Sequence, residues 1–253
     1  MCTIIKNKGA IKRIKRHESN LNGAIMINKD STPNKKDIPQ VLLSTFNTVI
    51  KEYYILFVLS VLLTLVFAIN FFAGQYATVT AGPSVPDIFD FFSSDSYSSL
   101  RNLAIQVHLK WTPFVAVPVL LYFFIFFPRK SIDFFILEIC LISFRTLTIN
   151  LTHLGPVFNQ PLIVNNDHTF GGDLFFSGHV AYTFLMCLVF RDTPAKYFLI
   201  FFHCLVTIST IVGRFHYAID VVAAYSITYS LYKLSESTLT SFHKRIFSKT
   251  TTV

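Results

Sequence analysis

Charge is what this sequence has least of. Asp, Glu, Lys and Arg make up 14% of its 253 residues, against about a quarter in soluble globular proteins. A soluble domain of this length would not need so much apolar material, so the composition points to a membrane protein. Cysteine is scarce too: Cys2, Cys140, Cys187 and Cys204 are the four, and none has a C-x-x-C partner. Neither a disulfide framework nor a zinc site is expected from them. An early hydrophobic run is also missing. The first long apolar stretch begins near Tyr53, behind about fifty mostly polar residues, too late for the core of a cleavable secretory signal. No internal repeat is visible.

Hydrophobic residues are what is there instead. They make up 52% of the chain, aromatics alone 16%, and the mean hydropathy is +0.51. Six apolar spans run at about 53–73, 112–127, 132–150, 174–190, 197–212 and 217–234. The expected fold class is therefore all-α, a polytopic membrane protein built as a six-transmembrane-helix bundle. Three regions follow: a polar, basic N-terminal segment (1–52), a six-span catalytic membrane domain (53–234) and a basic tail (235–253). The first is expected to be mostly disordered, with a short interfacial helix at 41–50.

The formal net charge is +8, from 22 Lys and Arg against 14 Asp and Glu. Much of the excess lies in the first fifty residues and the tail, where it sets orientation, and nucleic acid is not an expected partner. Arg129 and Lys130 follow the second span, and Arg191 and Lys196 follow the fourth. With six spans, these connections share one side with both termini. The opposite connections are poorer in Lys and Arg, so both termini are expected to be cytoplasmic.

That orientation gathers unusual residues at one depth. Asp173 and His179 sit where the fourth span enters from the non-cytoplasmic face, His216 and Asp220 where the sixth does, and Arg145 near the outer end of the third. "HYAID" places His216 and Asp220 at i and i+4, neighbours on a helix. A carboxylate there fixes the imidazole tautomer and leaves the other nitrogen free to attack, or it makes a structural polar pair. "SGH" supplies a second histidine, with Gly178 beside it permitting close approach. Two histidines, one with an Asp, suggest a division of labour in which one attacks phosphorus and the other protonates the leaving oxygen. Arg145 and Arg214 are candidate phosphate clamps or interfacial anchors. His179, His216 and Asp220 could also converge on a metal, but no H-E-x-x-H or similar motif supports one, and no metal or other cofactor is expected. His17, His203 and His243 are read as structural. His153, Asp167 and His168 are read as loop residues.

The order and spacing of these motifs resemble the sphingomyelin synthase family, a branch of the type 2 phosphatidic acid phosphatase superfamily. "GGDLFFSGHV" is similar to its C-G-D-x-x-x-S-G-H-T motif and "HYAIDVVAAY" to its H-Y-[ST]-x-D-[VI] motif. "FRTLTINLTHLGPV" and "SVPDIFDFF" resemble its two remaining signatures. The resemblance implies a site at the exoplasmic face and a phosphohistidine mechanism. His216 would be the nucleophile, Asp220 its orienting partner and His179 the acid/base. Arg145 and Asp173 match motif positions near the head group, and with Ser177, Gly178, Arg214 and Tyr217 they are the residues expected to bind substrate. The implied reaction moves a phospho-head group from a glycerophospholipid donor to a lipid alcohol acceptor, ceramide or diacylglycerol, without a metal. A lipid phosphate phosphatase with the same His–His–Asp set is the alternative. A non-catalytic lipid-binding membrane protein is a second one.

Overall fold

The computed structural model describes residues 38–80, 82, 86–152, 157 and 175–247, and every regular element among them is helical. The chain divides into two units, Met1–Asn47 and Thr48–Val253, and the second carries the site. The disorder expected of the N-terminal segment falls, for 1–37, outside the described residues. His17, His153, Asp167, His168 and Asp173 also lie outside them.

Helix α1 (Ile38–Val79) is unbroken, so the stretch expected as a separate interfacial helix is its first part. The most apolar 18-residue window of its segment Leu43–Val79 has a mean hydropathy of 2.7, and only 6% of that window is buried. Tyr54, Phe57 and Phe72 are each more than 60% exposed. A core helix of a soluble protein hides such residues; an apolar helix that exposes them needs apolar surroundings. Helix α2 (Asp95–Phe126) is similar: its most apolar 18-residue window has a mean hydropathy of 1.8 and is 11% buried. By length and composition these two helices can cross a membrane.

The second span was expected to begin at 112, with the polar stretch before it a connection. The structure makes that stretch helical from Asp95. Arg101 is not stranded there: its Nη1 donates to Phe92 and Ser93 carbonyls at 3.0 and 2.9 Å, closing the helix onto the preceding 3₁₀ turn Asp90–Ser93. Val107–Trp111 is a π-helical turn, a distortion that favours functional sites.

Four helices follow: α3 (Pro128–Thr152), α4 (Gly178–Val189), α5 (Lys196–Val212) and α6 (Ala218–Phe247). Six apolar spans were expected and six continuous helices form among the described residues, but only α1 and α2 are both long and apolar enough to cross a membrane unaided. On α3 the buried residues include Ser131, Phe134, Glu138, Leu141, Arg145 and Ile149, one stripe at three-to-four-residue spacing. Helix α4 packs against α3, α5 and α6. Phe190 at its end stacks on Phe123 at 3.8 Å. His203 bonds Thr183 and Tyr225, each at 2.8 Å, and so links α5 to α4 and α6. His243 meets Asp133 at 2.6 Å.

Basic residues collect at one end of the bundle. Arg129 pairs with Glu52 at 2.6 Å, Lys130 lies 3.6 Å from Asp192, and Lys51 donates to the Ile246 carbonyl. The helices α4 and α6 start at the other end, where the candidate site lies.

Candidate active site

The start of α4 is held by its own cap. Ser177 Oγ accepts from the Val180 amide at 3.5 Å, satisfying a donor that the helix leaves open. Its side chain therefore serves the helix end. Gly178 follows, and here the missing side chain has a measurable reason. A Cβ at 178 would lie 3.2 Å from Arg145 Nε, so the close approach that glycine allows is that of a guanidinium. Arg145 is buried and donates from Nε to the Phe176 carbonyl at 3.1 Å and from Nη1 to Asn70 Oδ1 at 3.3 Å. Asn70 also accepts from Thr146 Oγ1 at 3.1 Å. His179, one residue on, is exposed and lines a cavity of about 540 Å³ together with Arg145, Gly178 and Asn70.

The second histidine enters through a strained turn. Gly213 ends α5 with its amide bonded to Ser209 O; a Cβ there would lie 2.6 Å from the Phe215 ring and 2.7 Å from that carbonyl. Arg214 follows at φ 62°, left-handed backbone that a non-glycine residue adopts at a cost of about 1–3 kcal/mol. Its side chain is wholly buried. It is ion-paired through Nη2 to Asp90, and its Nε and Nη1 have no partner among the described residues. His216 Nδ1 lies 3.5 Å from Asp220 Oδ2, the same oxygen that accepts from the Tyr217 amide at 3.0 Å. Asp220 thus caps α6 and faces the imidazole at once. Its Oδ1 is buried without a partner among the described residues. Tyr217 itself is buried beside Val157.

The two helix starts are tied together. The Ser177 amide donates to the Asp220 carbonyl at 3.3 Å, which joins the beginnings of α4 and α6. Two helix N-termini side by side favour an anion, because their free amides and dipoles both carry positive potential there.

Some contributors were not singled out from sequence. Asp87 Oδ2 accepts from the Ala218 amide at 2.6 Å, so it caps α6 from 131 positions away, and Asp90 holds Arg214. Their motif was visible; their partners were not. His108 falls in the stretch expected as a connection. It sits in the π turn of α2, its ring 4.3 Å from that of His179 and stacked on Phe215 at 4.2 Å. Glu138, fully buried on α3, lines the same cavity. The lining of the cavity does not include His216, Asp220 or Arg214; Phe215, between Arg214 and His216 in the chain, stacks on His108 of that lining. Among the described residues no group of three His, Cys, Asp or Glu is placed to hold a metal ion.

Residues 171–237 match the family model described as PAP2 superfamily C-terminal. The match covers about a quarter of the chain and carries Asp173, Ser177, Gly178, His179, Arg214, His216, Tyr217 and Asp220. It supports the type 2 phosphatidic acid phosphatase superfamily, and with it a phosphatase or phosphotransferase acting on lipid. It does not single out the sphingomyelin synthase branch. No curated protein and no solved structure matches the chain.

Proposed function

We propose that this chain is a membrane lipid phosphotransferase of the sphingomyelin synthase type, moving a phospho-head group from a glycerophospholipid to a lipid alcohol. The observation that carries the reading is the joining of the α4 and α6 starts, which gives His179 and the His216–Asp220 pair one polar junction beside Arg145. In this reading Asp220 holds His216 through Nδ1, and Nε2 attacks phosphorus. The bond from phosphorus to the diacylglycerol oxygen breaks as protonated His179 gives that oxygen its proton. Neutral His179 then takes the proton of the acceptor hydroxyl, whose oxygen attacks the phosphohistidine and frees His216. Arg145 and the two unpartnered nitrogens of Arg214 neutralise the phosphoryl oxygens. Asp173, the last residue of "GGD", binds near the head group by resemblance alone.

The same reading makes all six helices membrane spans, with both termini cytoplasmic and the junction at the opposite face. The gathering of Lys51, Arg129, Lys130 and Arg191 at the other end of the bundle supports it. A lipid phosphate phosphatase is the second reading, equally compatible with the family match. It differs only in admitting water to the phosphohistidine.

Purified protein in lipid with head-group-labelled phosphatidylcholine or phosphatidylethanolamine separates the two. Labelled product lipid is expected, whereas soluble phospho-head group or phosphate means hydrolysis. Single-turnover trapping tests the nucleophile: acid-labile, base-stable label accumulates on wild type and is missing from His216→Ala. Label that persists on His216→Ala moves the nucleophile elsewhere, with His179 the first residue to suspect.

A further inference from the structure

The buried stripe of α3 carries one residue that the transfer chemistry leaves unused. Glu138 is 0% exposed, and neither carboxyl oxygen has a partner among the described residues. An unpartnered carboxyl in an apolar interior is costly, and a Leu or Met would pack the stripe better. Glu138 nevertheless forms part of the wall of the cavity that also holds Arg145 and His179. It stands seven residues before Arg145 on the same helix face, two turns or about 10 Å deeper. Among the described residues of that lining Arg145 alone is an Arg or Lys, and it is already bonded to Phe176 and Asn70. No other side chain of that lining bonds the carboxyl, Tyr182 included, so its oxygens are open to a donor brought by the ligand.

We infer that Glu138 is the specificity subsite for the acceptor lipid, taking hydrogen bonds from an N–H and an O–H next to the reacting primary hydroxyl. This rests on the phosphotransferase reading above. With phosphorus held at the Arg145 and His179 end, the first carbons of the acceptor fill the gap down to Glu138, whose side chain turns from the wall to meet them. A ceramide offers an amide N–H and a secondary hydroxyl there, two donors for two oxygens. A diacylglycerol offers none. The cavity also continues past Glu138 to Phe134 and Leu120. A head-group ammonium would end at the carboxyl, whereas a lipid backbone has chain to place beyond it.

The test uses the full chain in detergent–lipid micelles and liposomes, as wild type, Glu138→Leu and Glu138→Gln. Binding is read from the rise in Tm caused by ceramide and by diacylglycerol of matched chains. Wild type gains more from ceramide; Glu138→Leu loses that excess and Glu138→Gln keeps part of it. The ligand-free Tm of Glu138→Leu is not lowered, because Leu replaces an unpartnered carboxyl. Transfer from labelled phosphatidylcholine is the second readout. In Glu138→Leu, kcat/KM for ceramide falls about tenfold or more and that for diacylglycerol stays within about twofold. No ceramide excess in wild type, an excess that survives in Glu138→Leu, or equal losses with both acceptors overturns the subsite. So does a loss seen with phosphatidylcholine and absent with phosphatidylglycerol, which assigns Glu138 to the donor's ammonium. Glu138-dependent ceramide binding without any transfer keeps the subsite and overturns the phosphotransferase reading instead.

Discussion

A lysine at position 145 would carry the charge of Arg145 and lose its geometry. The guanidinium reaches the Phe176 carbonyl with one nitrogen and Asn70 with another, at 3.1 and 3.3 Å. An ammonium is a point charge on a flexible stem and cannot hold both while facing a phosphate. Arg145→Lys is expected to lower kcat by about 100-fold and to leave Tm within a few degrees. Near-normal turnover would return Arg145 to the role of a helix anchor. The residue was legible because a cation inside an apolar run needs a reason. The same argument applies to Glu138, which stands seven places earlier in that run. Its burial, and its lack of a partner among the described residues, could be learned only from the packing of α3 against its neighbours.

The segment 86–93 and the start of α6 form one polar element from distant parts of the chain. Asp87 caps α6 through the Ala218 amide, and Asp90 pairs with wholly buried Arg214. Removing one partner of such a pair strands a charge, at about 3–5 kcal/mol. Asp90→Ala is therefore expected to lower thermal stability sharply. Adding Arg214→Met to it should restore most of the Tm, since no charge is left unpaired, but not the activity. Equal Tm values for the single and double variants would show that Asp90 acts in some other way. Helices with compact apolar runs were readable: the expected span 197–212 and α5 differ by one residue. The first half of α2 was not, because Asp95, Arg101 and Lys110 give it the composition of a loop. His108 was overlooked with it. In the fold Arg101 of that stretch binds the turn before it, a contact with no periodicity to betray it.

Lys51, Arg129, Lys130 and Arg191 gather at one end of the bundle, and His179 and His216 lie at the other. If that polarity matches the membrane, a single cysteine at Asn165 in an otherwise cysteine-free protein reacts only with reagent added from the non-cytoplasmic side. Labelling from the cytoplasm alone would reverse the proposed orientation. The cavity at the histidine end has walls from α1 and α2, the two helices that turn their apolar side chains outward. Under the proposed function, a lipid entering between them would reach His179 without leaving the bilayer plane. Its supply is then a mole fraction of the surrounding leaflet, fixed by how many neighbours carry the right head group, and adding more vesicles of the same composition changes nothing that a single enzyme molecule encounters.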